Sequence, residues 1–168
     1  MYIHQKPNTK DIPEEMLISG FAYLETAEKL NHEMVLGVWT GSYHRGQVIM
    51  WLVFHATELF LKACLAKAQP NRKITGHTLP KLKAELEKVV GTISLDIPFG
   101  GEGPDDRPEI IELMKDYDET VHQRLRYPTD RSGQPWSGEN GFSAGLFSPT
   151  LQNLRYQVQA LKLQVFKA

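Results

Sequence analysis

His55, Glu58 and Lys62 stand within HATELFLKA, residues 55–63, inside the most apolar part of the chain. A carboxylate set between a histidine and a lysine at these spacings can serve as a proton acceptor, as a structural ion pair or as part of a wetted stripe. At ~100° per residue, Gln47, Trp51, His55, Glu58 and Lys62 share one sector of a helix, and nearly everything outside it is apolar. That face can meet solvent, a polar pocket between helices, or a second copy of the chain. In solvent, Glu58 and Lys62 form an i,i+4 pair worth a few tenths of a kcal/mol. If buried, each charge demands its partner, and the pair becomes a structural key.

A second constellation lies in VHQRLRYP. His122 and Arg126 are four residues apart and share a face near the end of a helix. A histidine and an arginine held together can act as general base and phosphate-charge stabiliser in RNA cleavage. The plainer reading is a cationic helix end, which the helix dipole favours. Beyond it, residues 127–148 form a long segment without periodicity that carries Arg131, Trp136, Phe142 and Phe147 among small residues. Arginine with interspersed aromatics can stack on single-stranded bases. The same aromatics can instead fold down to cover the protein.

Other chemistries find little support. His44 and His55 share a face but lie three turns apart, and no H-x-x-x-H or cysteine cluster exists, so no metal site is expected. Cys64, the single cysteine, has apolar neighbours and reads as a small hydrophobe; no serine sits in a G-x-S-x-G elbow. The stretch FGGEGPDD lacks a G-K-[ST] ending, and Glu102, Asp105 and Asp106 would repel phosphate. No cofactor is expected.

These residues must be held by helices. Asp11 followed by Glu14 resembles a capping box opening a first helix from about Pro13 to Asn31, with Met16, Tyr23, Ala27 and Leu30 at helical spacing. A glycine-containing connection over 36–46 precedes a second, nearly all-apolar helix from about Gln47 to Ala68, stopped by Pro70. Thr78 is the expected cap of a third helix that ends at Gly91. Asp105 or Asp106 is the expected cap of a fourth, ended by Pro128. A last helix starts at Ser148 and Pro149, with Leu151, Leu154, Val158, Leu161 and Val165 in a 3-4-3-4 seam. No strand alternation competes, so the expectation is a single all-α domain over 1–168, an antiparallel bundle of about five helices.

Composition agrees. With 168 residues and 41% hydrophobic content, the chain can bury a sizeable core. Nineteen basic against twenty acidic residues set up no global field toward nucleic acid or an anionic membrane. The first residues contain no apolar signal-peptide core, and the charge-free run from Gly46 to Thr57 is short for a membrane span. A soluble cytoplasmic protein is expected.

The order of HATELFLKACLAKA, then GHTLPKL, then RLRYP at Arg124 to Pro128 resembles the HEPN superfamily (higher eukaryote and prokaryote nucleotide-binding domains). The similarity runs from FAYLETAEKL to the final helix. It implies an antiparallel helical bundle that forms a homodimer, often paired in toxin–antitoxin or defence systems with a nucleotidyltransferase-like partner. It also implies an RNA or nucleotide ligand. Many members are metal-independent ribonucleases, with four to six residues between an arginine and a following histidine near the penultimate helix. Here no histidine follows Arg124 or Arg126, and the only match to that spacing, Arg72 to His77, lies in another loop. The resemblance therefore implies a non-catalytic binding or regulatory module. Its binding or interface residues are His55, Glu58, Lys62, His77, Arg124, Tyr127, Arg131 and Trp136. The alternative is a metal-independent ribonuclease with a divergent site at His122 and Arg126.

Overall fold

The computed structural model describes residues 11–98, 107–136 and 141–166. Five helices follow one another: α1 Ile12–Val35, α2 Tyr43–Ala68, α3 Leu79–Val90, α4 Pro108–Arg124 and α5 Ala144–Phe166. Among the described residues there is no strand, only one isolated bridge between Thr129 and Pro135. The architecture is the all-α bundle expected from the sequence.

The helix starts follow from local hydrogen bonding, in part differently from the sequence expectation. Asp11 caps α1, its side chain accepting the Glu14 N–H at 3.1 Å. α2 begins at Tyr43 rather than at Gln47, because the Ser42 hydroxyl accepts the Arg45 N–H at 3.3 Å. Gly46 thus belongs to the helix, and an added Cβ there would lie 2.7 Å from Phe142. Thr78 occupies the cap position of α3 without a side-chain cap bond. Arg107 stands at the cap of α4, while Asp105, Asp106 and the rest of FGGEGPDD lie outside the described residues.

α5 begins at Ala144, before Pro149 rather than at it. Asn31 of α1 donates to the Ala144 carbonyl at 3.1 Å and to the Ser148 hydroxyl at 2.9 Å. A tertiary partner thus secures a first turn that a nearby proline weakens.

α2 is the axis of the bundle, and its apolar sides are buried against α1, α3 and α5. Gly20 and Phe21 of α1 meet Phe60, and Tyr23 meets Trp51 and His55, so α1 and α2 run antiparallel. Every residue of the α5 seam (Leu151, Leu154, Val158, Leu161 and Val165) is buried within the chain. The seam is thus consumed in this bundle rather than left as a face for another molecule. α2 is long and apolar enough to cross a bilayer, but 67% of its most apolar window is buried inside the protein, as befits a core helix. α4 differs from the others: Val121, near its C-terminal end, is its one buried residue, and Ile111 and Leu113 are exposed.

Candidate functional site

The polar stripe of α2 carries a buried carboxylate. Glu58, only 6% exposed, holds three side chains with one carboxylate. Lys62 Nζ, one turn on, lies 2.7 Å from Oε1. His77 Nδ1, from the connection before α3, lies 2.8 Å from the same oxygen. His55 Nδ1 stands 3.8 Å from Oε2. His55 is itself fixed by rings, stacked on Trp51 at 5.4 Å and edge-on to Tyr23 at 4.7 Å. Burial pushes the Glu58 carboxyl up, but the nearby His55 imidazole and the hydrogen bonds from Lys62 and His77 outweigh it and hold the carboxyl at about 2, below the ordinary 4.5. Glu58 is therefore an ionised, structurally committed carboxylate at any pH near neutrality, and the wetted-stripe reading does not apply to it.

His77 joins this buried group to the surface. Its side chain is 56% exposed although its Nδ1 is held by Glu58. The carboxylate accepts the Nδ1 proton, which leaves Nε2 as the free ring nitrogen. The chain reaches this point through Gly76, whose φ of +90° suits glycine. Against His77 lies His122 from the end of α4, the two rings stacked at 5.5 Å and 19°. His122 Nδ1 is buried and has no hydrogen-bond partner. Burial, and then the neighbouring His77 ring and the positive charge of Arg126 and Arg131, hold His122 below the usual histidine range, with Glu58 opposing.

His122 and Arg126 are neighbours, as the spacing predicts, but their rings and forks do not form a pair. The Arg126 Nε donates to the His122 backbone carbonyl at 3.0 Å, and its guanidinium lies over Tyr127 at 5.6 Å. The His122 ring faces His77 instead.

Arg124 is engaged in the fold. It donates to Thr120 Oγ1 at 2.8 Å and Asp116 at 2.9 Å, and it covers the Trp136 ring at 4.8 Å. Trp136 donates its indole N–H to the Tyr127 carbonyl at 3.0 Å, which ties this aromatic to its own loop. Phe142 and Phe147 pack together and against the core, as cover. The Asp130 carboxylate, accepting from Ser132 and Gln134, ties the loop between Tyr127 and Trp136 into a turn and leaves Arg131 exposed.

Sequence reasoning placed Glu58 with Lys62 but missed that His77, nineteen residues on, completes the group, and that His122 stacks on it. The only signal was the joint occurrence of HATELFLKA and GHTL. Arg72 is occupied by Gln69 and Glu85. Cys64 is buried, and burial pushes its thiol up to about 12, which leaves it inert. Among the described residues no group of three or more His, Cys, Asp or Glu is placed to hold a metal ion.

Neither a family model, nor a curated protein, nor a solved structure matches the chain.

Proposed function

We propose that the chain is a HEPN-like binding or regulatory module, non-catalytic and cytoplasmic, that acts as a homodimer. Its ligand is a phosphate-bearing RNA or nucleotide, and its setting is a defence or toxin–antitoxin pair with a nucleotidyltransferase-like protein. What supports the ligand is one observation: Arg126, which donates to the His122 carbonyl at 3.0 Å, and Arg131 bring positive charge to His122, against which the exposed His77 ring is stacked. The exposed Tyr127 ring lies beside them under Arg126. Cations at one point attract phosphate, and an exposed ring beside them offers a surface for a base.

Fluorescence anisotropy with a labelled single-stranded RNA tests this reading. Binding is expected to weaken with salt, and the double substitution Arg126→Ala, Arg131→Ala is expected to flatten the log–log salt slope by about 1.4, roughly 0.7 per lost phosphate contact. Equal binding by wild type and variant would remove this face as the site. Light scattering at tens of micromolar tests the dimer, and a monomeric mass counts against it.

A ribonuclease at His122 and Arg126 is the second reading, favoured by one feature. Two imidazoles in contact, one oriented by a buried carboxylate, could divide base and acid roles.

A further inference from the structure

We propose that the His77–His122 stack is a proton-coupled anion site: a phosphate group bound there with Arg126 and Arg131 draws a proton onto the pair of rings. The inference rests on the phosphate-ligand reading above and adds how that binding is regulated.

The two imidazoles stack 5.5 Å apart, so a proton on one ring opposes a proton on the other. In the free protein the surroundings oppose the second proton further. From α2, Glu58 is the one anion facing the stack, but Lys62 and His77 already occupy Oε1 and His55 approaches Oε2. From α3, Lys81 is paired with Glu119 of α4 at 2.9 Å. From the end of α4 and the loop beyond it, Arg126 and Arg131 add positive charge at His122. The buried Nδ1 of His122 has no acceptor, so a hydrogen placed there would be stranded. These features disfavour a proton on His122 in the free protein.

A bound phosphate reverses the balance. Its charge offsets the two arginines and stabilises a proton on either ring. The exposed His77, its Nδ1 proton already accepted by Glu58, presents Nε2 as the donor to the anion. Glu58 stays ionised throughout this range, with its carboxyl held at about 2, so the buried anchor of His77 is unchanged while the rings titrate.

The test uses the whole protein and two probes. Histidine ring protons are followed by NMR between pH 5 and 8.5, in inorganic phosphate and in chloride at equal ionic strength. The expected result is an upward displacement of the His77 and His122 titrations in phosphate, with His44 unmoved. Isothermal calorimetry with single-stranded RNA, in two buffers of different ionisation enthalpy, counts the protons taken up. One proton corresponds to affinity falling about tenfold per pH unit on the alkaline side of the titration. His122→Asn is expected to reduce that slope while the melting profile shows a folded protein.

RNA binding that is lost in the arginine double variant yet takes up no proton would overturn the coupling and leave the ligand reading standing. A phosphate-dependent displacement of both histidines without RNA binding would support the anion site and refute RNA as the ligand. Unchanged titrations in phosphate would overturn the site itself.

Discussion

Replacing Glu58 by alanine removes the one carboxylate to which Lys62, His77 and His55 are directed. Lys62, its side chain 15% exposed, would then be left without its counter-charge in a largely buried position. Removing one partner of a buried pair costs about 3–5 kcal/mol. The same contacts hold the Glu58 carboxyl at about 2 against an ordinary 4.5, which corresponds to about 3 kcal/mol of preference for the ionised form in the native state. A loss of about 3 kcal/mol is expected, against a total stability of about 5–15 kcal/mol for typical domains. With a urea dependence of about 2 kcal/mol per molar, the unfolding midpoint of Glu58→Ala should fall by about 1.5 M. The double variant Glu58→Ala, Lys62→Met strands no lysine charge and should recover part of this loss. A loss below about 1 kcal/mol, with single and double variants alike, would refute the buried-key argument and return the stripe to an ordinary wet face.

Gly20→Ala tests the α1–α2 contact through the sign of its effect. Helix propensity alone favours alanine by about 1 kcal/mol, but the new Cβ would lie 2.6 Å from the fully buried Phe60 ring, so net destabilisation of about 1–3 kcal/mol is expected by thermal melting. Acid titration of stability should show two stages. His122 is held below its ordinary 6.5, so the unfolded chain binds its proton first and stability declines as pH falls below about 6.5; His122→Asn removes this stage. The Glu58 contribution is fully present above 4.5 and lost as pH falls toward about 2, so Glu58→Ala should lack that second decline in urea midpoints measured against pH. Purified protein in chelator should leave structured and single-stranded RNA uncut in gel assays; cleavage that vanishes in both His122→Ala and Arg126→Ala would instead establish the ribonuclease reading.

Helical periodicity determined the fold class, because apolar residues recurring every three or four positions report which face of a helix must leave water, whatever covers it. The third helix was legible to the residue, with Thr78 before it and Gly91 after it, since both ends are local events. The start of α5 was not, because Asn31, more than a hundred residues earlier, secures the turn that precedes Pro149. The same limit governed the site. The sequence put Glu58 and Lys62 on one helix face, since i,i+4 neighbours need no tertiary information. It left solvent, pocket and self-association open, because burial is a property of what packs against a face. Only the fold carried His77 back onto Glu58 and set His122 against it, turning residues from three separate elements into one charged corner. Tertiary structure also turned Arg124 and Trp136 toward each other, so that two residues whose types suit RNA contact serve to hold the loop against α4.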